Sequence, residues 1–192
     1  MPRVELPHDA KAGPTKSEVR SVLLGKLDLG PTDYFVEVGS CTGAVTVEAA
    51  RRAGRVTAIE REESRAETTQ KNLAANDVEG VEVRVAEAPE GLPDDADALF
   101  LGGSRNYEAV LDRAVEAGVD RVVMNVSRLE VAGAATEAFR ERDMLDDVVQ
   151  FQVSRGYELA GATSFDSENP VYMLVGGAGD GAGDGDAGGD EA

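Results

Sequence analysis

A glycine-containing loop near residue 40 has the composition of a ligand-binding turn. The run Glu37-Val38-Gly39-Ser40-Cys41-Thr42-Gly43 follows a short apolar stretch and precedes a segment with helical periodicity. Gly39 allows a tight turn there, and Gly43 allows the backbone to approach a ligand closely. The acid-x-Gly-x-x-x-Gly spacing differs from the Gly-x-Gly-x-x-Gly spacing of dinucleotide sites. The loop is a candidate ligand site, although any tight connection from a strand to a helix could use these glycines.

Two carboxylates follow at the ends of the next two expected strands. Glu60 ends the run Val56-Thr57-Ala58-Ile59, where a carboxylate can accept hydrogen bonds from both ribose hydroxyls of S-adenosylmethionine (SAM) or of NAD. Ala86-Glu87-Ala88-Pro89 ends the third strand, the place where methyltransferases hold adenine through a carboxylate and a backbone N–H. Each acid could instead be an ordinary loop residue of an acid-rich chain. Because ligands of open α/β sheets bind outside the carboxyl ends of the strands, the three features together favour one adenosyl site.

Two adjacent glycines follow the fourth expected strand. Gly102-Gly103-Ser104 would form a floor without side chains that a bulky, flat ligand can approach. The alternative is a turn that needs positive φ at both glycines. The Asn/Asp-Pro-Pro-aromatic motif of enzymes that methylate exocyclic amines of bases is missing at this place, so we do not expect that substrate class.

The apolar pattern predicts strands that alternate with helices, which is typical of a parallel sheet covered on both faces. The predicted strands are Tyr34–Val38, Val56–Ile59, Val81–Val85, Ala98–Leu101, Arg121–Val126, Val148–Ser154 and Val171–Val175. The predicted helices are Ser17–Leu27, Ala44–Ala53, Glu62–Ala75, Tyr107–Ala117 and Glu130–Arg142. No helix separates the last two strands, which are joined by a loop from about residue 156 to 170 and should pair as an antiparallel hairpin. This is the α/β architecture of class I SAM-dependent methyltransferases: a Rossmann-like, seven-stranded, mostly parallel sheet with a terminal antiparallel hairpin.

Composition limits the classes of partner. The 192 residues carry 19 Lys and Arg against 37 Asp and Glu, for a formal net charge of −18, which argues against a nucleic-acid binder. With only four lysines, the acidic surface is similar to those of proteins from salt-loving organisms, where the Debye length falls to about 3 Å near 1 M salt. The alternative is an acidic surface that selects a cationic partner. We expect a cytoplasmic protein without a membrane span, because no signal peptide and no long apolar run is visible.

The chain divides into one domain and an acidic tail. Residues 1–175 have enough apolar content for a single core, and residues 1–12 are expected to be mobile. From Gly176 the chain consists almost entirely of Gly, Ala and Asp, so residues 176–192 are expected to be disordered.

Several motifs together resemble those of the decarboxylating precorrin C15-methyltransferases of cobalamin biosynthesis. The resemblance covers residues 13–175, and its most specific elements are Gly13-Pro14-Thr15-Lys16, Leu101-Gly102-Gly103-Ser104 and Asn169-Pro170-Val171. Two departures stand out: Glu87 replaces the usual Asp, and Arg105 replaces a glycine that usually follows the Gly-Gly-Ser run. The first keeps the carboxylate, whereas the second affects the expected fit of the substrate.

The resemblance implies SAM as cofactor and a late cobalt-precorrin as substrate, with no metal and no nucleophilic side chain required. The implied cofactor residues are Thr15, Glu37, Gly39, Ser40, Cys41, Thr42, Gly43, Glu60, Glu87 and Ala88. The implied substrate residues are Gly102, Gly103, Ser104, Arg105, Asn125 and Arg128. A homotetramer and a separate carbon-5 precorrin methyltransferase as pathway partner are also implied. No residue is assigned to the loss of CO2.

Some residues allow more than one interpretation at this point. Thr15-x-x-Glu18 also fits a capping box at the start of the first helix. The substrate implied by the resemblance is edged with carboxylates. Five cations lie in or beside the motif loops and could bind them, although each could instead pair with surface acids: Lys16, Arg20, Arg105, Arg128 and Arg155. Other functional classes also remain, namely a different class I methyltransferase such as one acting on tRNA, an NAD-binding oxidoreductase module, and a catalytically silent SAM-binding partner.

Overall fold

The computed structural model describes residues 3–10 and 13–178. Within these residues the strands are β1 Tyr34–Val38, β2 Arg55–Glu60, β3 Val81–Val85, β4 Ala98–Leu101, β5 Arg121–Val126, β6 Leu145–Phe151, β7 Ser154–Leu159, β8 Ala162–Ser167 and β9 Val171–Gly176. The helices are α1 Ser17–Leu27, α2 Ala44–Ala50, α3 Glu63–Ala75, α4 Tyr107–Ala117 and α5 Leu129–Arg140.

The main sheet has seven strands in the order β3-β2-β1-β4-β5-β9-β6. The first five run parallel, and β9 is antiparallel to both of its neighbours. The predicted fold class is therefore confirmed. From β1 the chain builds outward to β2 and β3 on one side, and it returns to place β4 and β5 on the other. This reversal creates a crevice between the carboxyl ends of β1 and β4.

Helices cover both faces of the sheet because its central strands are apolar on both sides. On one face, α1 and α2 pack on Phe35 and Phe100, which are completely buried. On the other face, α4 and α5 pack on Leu99 and Leu101, and the buried Phe139 belongs to the same apolar cluster. The strand ends are thereby held at one level: Val38 is aligned with Ile59 on one side and with Leu101 on the other.

The start of α1 differs from the predicted capping box. Lys16 is the N-cap residue, and no side chain caps the helix. The Glu18 carboxylate instead accepts hydrogen bonds from the Arg155 guanidinium, because a cation is a stronger partner than a neutral backbone N–H. Thr15 is held through its carbonyl, which accepts from Arg20, and Arg20 also pairs with Glu48 of α2 at 2.9 Å.

The predicted loop between the last two strands of the sheet is wrong in part, because it contains a separate hairpin. Strands β7 and β8 pair with each other and not with the main sheet. Ala160 and Gly161 form the two-residue turn with φ of 51° and 80°, as the twist of a tight hairpin requires. Both strands are exposed, so they lack the alternation of apolar and polar residues that identifies a half-buried strand.

Smaller differences concern the element ends. Helix α2 ends at Ala50, three residues before the predicted end. Strand β6 begins and ends three residues earlier than predicted. Helix α3 differs from the prediction by one residue at its start, and α5 and β2 differ by one or two residues at both ends. No helix in the described part of the chain is long and apolar enough to cross a membrane.

Both terminal segments make contacts with the domain. His8 and Glu5, in the segment predicted to be mobile, exchange hydrogen bonds through their backbones with the side chains of Asn72 on α3 and Asn76 directly after it. Strand β9 continues to Gly176, one residue beyond the predicted domain, and residues 177 and 178 donate backbone hydrogen bonds to the domain. Most of the predicted acidic tail, residues 179–192, lies outside the described residues.

Candidate active site

A cavity of about 680 Å³ lies at the carboxyl ends of β1, β2, β3 and β4. Its volume is in the range of small-molecule sites, roughly 300 to 1,000 Å³. Of the residues predicted to form the site, it is lined by Gly39, Cys41, Glu60, Glu87, Ala88, Gly102, Gly103, Ser104, Arg105 and Arg128. The structure thus brings together features that lie far apart in the sequence.

A smaller cavity of about 250 Å³ shares Gly39, Cys41 and Gly102 with the first as lining residues. It lies under the segment that precedes α1. It is lined by a further set of the predicted residues, namely Thr15, Glu37, Ser40, Thr42 and Asn125. The predicted site residues therefore divide between two neighbouring cavities.

Gly43 is the one predicted site residue that lines neither cavity. Its φ is +73°, and a Cβ placed there would lie 3.0 Å from Cγ2 of Thr69. Gly43 is thus required for close packing of the loop on α3. The prediction that this glycine lets the backbone approach a ligand does not match its position.

The glycine loop is fixed by two buried side chains of α3. The Thr69 hydroxyl lies 2.9 Å from the Ser40 hydroxyl and donates to the Cys41 carbonyl at 3.1 Å. The Asn72 amide donates to the Thr42 carbonyl at 2.8 Å. Since these bonds satisfy buried groups of the loop, they hold its backbone in one conformation along the cavities.

Glu60 is a buried carboxylate at the end of β2, with 3% of its surface exposed. Its Oε2 accepts from the backbone N–H of Cys41 at 3.2 Å, and Oε1 accepts from that of Glu62 at 3.1 Å. A carboxylate has about four acceptor positions, so this carboxylate retains acceptor capacity toward the cavity that it lines.

Glu37 is buried at the end of β1, where its carboxyl accepts a hydrogen bond from the Thr46 hydroxyl. Burial raises its pKa to about 8, the Thr46 hydrogen bonds oppose that rise, and the charge of Glu60 adds to it. A carboxyl with this pKa is mostly protonated at neutral pH.

Glu87 has the opposite electrostatic environment. Arg105 and Asn106 both donate to its Oε1, and the Arg105 hydrogen bond lowers the pKa of this exposed carboxyl. Glu87 therefore remains ionised, with Oε2 available for a further donor. Arg105, predicted as a substrate residue, is occupied by this ion pair.

The other cations differ in how far they are neutralised. Lys16 pairs with Glu168 at 3.0 Å, Arg20 pairs with Glu48, and Arg155 pairs with both Glu18 and Glu168. Among the described residues, no ion pair involves Arg128, which is exposed on the wall of the main cavity. Arg128 is therefore the candidate cation that is best placed to meet an anionic ligand.

Sequence reasoning missed three further polar residues of the main cavity wall, beside the apolar Val38, Ile59 and Ala86. Arg61 and Arg65 come from the loop and first turn after β2, and Asn106 comes from the loop after β4. The feature of the sequence that could have identified them is their position, one to five residues after a predicted site residue. Which of them faces the cavity depends on the start of α3 and α4.

Gly102 explains the close approach of β1 and β4. A Cβ at this position would lie 3.1 Å from the Gly39 carbonyl oxygen and 3.4 Å from that of Val38. A side chain would push the two strand ends apart. Of the two glycines predicted to form a floor, Gly102 lines both cavities and Gly103 lines the main one.

A family model described as "Precorrin methyltransferase domain" matches residues 7–176. The chain belongs to the precorrin methyltransferase family. Its cavities thus lie at the ends of the strands of a methyltransferase domain.

A relative and two solved structures show the extent of this similarity. The chain is 74% identical to a probable cobalt-precorrin-6B C(15)-methyltransferase (decarboxylating) of Halobacterium salinarum, over 93% of this chain and 96% of the relative. The structure of a precorrin-8w decarboxylase from Methanobacterium thermoautotrophicum is 31% identical, with a TM-score of 0.80 over 86% of this chain and 92% of that one. A precorrin-6y C5,15-methyltransferase from Geobacter metallireducens is 29% identical, with a TM-score of 0.79 over 88% and 92%. The Halobacterium relative agrees with the expectation of a salt-adapted surface.

We expect Glu37→Gln to change the pH dependence of stability. Because burial raises the pKa of Glu37 above 4.5 to about 8, the folded protein retains a proton that the unfolded chain releases between these pH values. The free energy of unfolding of the native protein therefore falls as pH rises through this window. Glutamine can still accept from Thr46 and has no proton to lose. Chemical unfolding at pH 5, 7 and 9 should show the stability of Glu37→Gln rising relative to the native protein, and a constant difference would contradict the prediction. Glu130→Gln, at an exposed position of α5, is the matched control.

Proposed function

We propose that this protein uses SAM to methylate carbon 15 of a late cobalt-precorrin and releases CO2 from the acetate of ring C, in cobalamin biosynthesis. The single observation that carries this is the 680 Å³ cavity, at which Glu60, Glu87 and the Gly102-Gly103 floor meet. Membership of the precorrin methyltransferase family and the names of the similar proteins support the reaction.

The residues present fit SAM. Glu60 offers acceptors for ribose hydroxyls at the end of β2, and Oε2 of Glu87 offers one for the adenine amine at the end of β3. The missing side chain of Gly102 leaves the passage between the two cavities open at the point where the sulfur would lie. Polar groups thus lie at both ends of the site and a narrow floor between them, which matches a ligand with two polar ends.

The protein contributes position and shielding to the proposed reaction. When SAM is bound, its sulfonium supplies an electrophilic methyl group, so no nucleophilic side chain of the protein has to take part. The glycine loop, fixed by Thr69 and Asn72, would hold the cofactor in a single orientation. The Gly102-Gly103 floor would allow the flat ring to approach in line with the methyl group. The bound ring would then cover the site and exclude water from it.

The substrate's carboxylates require cations in a protein of net charge −18. Arg128 fits best, since no ion pair among the described residues engages it, and guanidinium groups bind carboxylates with two parallel hydrogen bonds. Arg105 would contribute only by sharing or exchanging its bond with Glu87.

Decarboxylation leaves an electron pair on the acetate methylene carbon, which the conjugated macrocycle can accept before protonation.

The rival functions have less support. Family membership favours a precorrin over tRNA as substrate, and the acidic composition agrees with that. An NAD-dependent oxidoreductase is not favoured, because the chain belongs to a methyltransferase family and the loop lacks dinucleotide spacing. A separate carbon-5 precorrin methyltransferase as pathway partner and a cytoplasmic location both stay predictions.

A homo-oligomer, tetrameric by resemblance, is part of the same proposal. The β7–β8 hairpin exposes Tyr157 and Leu159 on one face and Phe165 on the other, with exposures of 47%, 57% and 68%. Large apolar side chains exposed on both faces of an isolated two-stranded hairpin favour burial against another copy of the chain.

Mass analysis of the product tests the proposed reaction directly. Incubation with SAM and a late cobalt-precorrin should yield a product that has gained one methyl group and lost one CO2. The same reaction without SAM, and one with NAD in its place, are the controls. Binding of NAD without binding of SAM, measured by calorimetry, would refute the proposal, as would an unchanged tetrapyrrole.

Arg128→Ala should weaken substrate binding selectively. Loss of a hydrogen-bonded charge pair is worth about tenfold or more in affinity, so the Michaelis constant for the cobalt-precorrin should rise by this factor while the dissociation constant of SAM changes little. Arg105→Ala should have a smaller effect on the Michaelis constant for the cobalt-precorrin. It should also change the dissociation constant of SAM, because it frees the Glu87 carboxylate. Arg140→Ala, in an exposed ion pair on α5, is the control. An unchanged Michaelis constant in Arg128→Ala would remove this residue from the substrate site.

Phe165→Glu should reduce the assembly. The native protein should have the molar mass of a tetramer by light scattering in high salt, and a buried charge at the hairpin should shift it to smaller species. Val115→Glu, at an exposed apolar position of α4, should leave the molar mass unchanged. A monomeric native protein would contradict the proposal.

A further inference from the structure

The smaller cavity contains a buried amide that lacks partners. In the described part of the chain, both Nδ2 and Oδ1 of Asn125 are buried without a hydrogen bond. Most buried amides are satisfied, so this exception points to a ligand that offers an acceptor and a donor at adjacent positions. Asn125 lies near the end of β5, on the same face of the sheet as Val123, and lines the cavity together with Gly102.

The polar lining of this cavity carries little free charge, because Glu37 is mostly protonated and Lys16 already pairs with Glu168. The buried carboxyl of Glu37 lies on one side, and Lys16 belongs to the segment that covers the cavity. Hydroxyls of Thr15, Ser40 and Thr42 complete the polar lining. A group whose positive and negative charges cancel fits such a lining better than one with a net charge, because a buried net charge without a partner is costly.

Size separates the two ligands of the proposed reaction. A cavity of about 250 Å³ is below the range of roughly 300 to 1,000 Å³ for sites that hold drug-sized molecules, so it excludes a tetrapyrrole. It admits a short aliphatic amino acid. It also meets the main cavity at Gly39, Cys41 and Gly102, which is the place where the sulfur of SAM would lie.

We propose that Asn125 recognises the amino acid end of SAM, with Nδ2 donating to its carboxylate and Oδ1 accepting from its ammonium group. This rests on the cofactor of the proposed function, and it replaces the substrate role that the resemblance implies for Asn125. The residue determines cofactor specificity: it distinguishes ligands with an intact amino acid end from those that have only the adenosyl part.

Two probes that differ in this end test the proposal. S-adenosylhomocysteine carries the amino acid, whereas methylthioadenosine keeps the adenosyl and sulfur part alone. By calorimetry, Asn125→Leu should lose about tenfold or more in affinity for the first and bind the second as the native protein does. If the leucine variant does not fold, Asn125→Asp provides the same test. It keeps the size of the side chain and an acceptor but repels the ligand carboxylate, so it should show the same selective loss of affinity.

The control lies at the opposite end of the site. Asn106→Leu removes an amide next to Glu87 and should change the affinity for both probes by the same factor. Equal losses for both probes in Asn125→Leu and Asn125→Asp, or no loss in either variant, would overturn the proposal. A raised Michaelis constant for the cobalt-precorrin with unchanged binding of both probes would return Asn125 to the substrate. If the native protein binds neither probe, the SAM dependence of the proposed function fails as well.

Discussion

The reversal of strand order between β1 and β4 is the constraint on which the site depends. Parallel strands end at one edge, and the chain leaves these two neighbouring strands in opposite directions, so nothing of the sheet fills the space between their ends. Gly39 and Gly102 lie so close there that a Cβ on Gly102 would come within 3.1 Å of the Gly39 carbonyl oxygen. The two cavities and the residues that line them follow from this single feature of the topology.

The glycine loop fits this crevice only because α3 fixes it. Thr69 and Asn72 are buried on α3 and bind three consecutive residues of the loop. Asn72 also binds the backbone of His8, so one amide connects the N-terminal segment to the ligand loop. Helix α3 thus acts on the site without contributing the groups that were predicted to touch a ligand.

Charge is distributed unevenly around the site. The protein carries 37 acidic residues, yet arginines line the main cavity, and the acids there have different states. Burial keeps Glu37 protonated, whereas Arg105 keeps Glu87 ionised. Two carboxyls of the same type can therefore do different chemistry, since one can donate a proton and the other can only accept a hydrogen bond.

The sequence by itself determined the order along the chain of the five described helices and the seven strands of the main sheet, the position of the glycine loop and the acids at the ends of β2 and β3, because apolar periodicity and glycine placement are local properties. It did not reveal the β7–β8 hairpin, whose strands are exposed on both faces. Only the tertiary structure decided that Gly43 packs on Thr69, that Arg105 binds Glu87 and that the buried Asn125 amide has no hydrogen-bond partner among the described residues. These outcomes depend on which side chains meet across elements distant in sequence, and no local pattern encodes such a meeting.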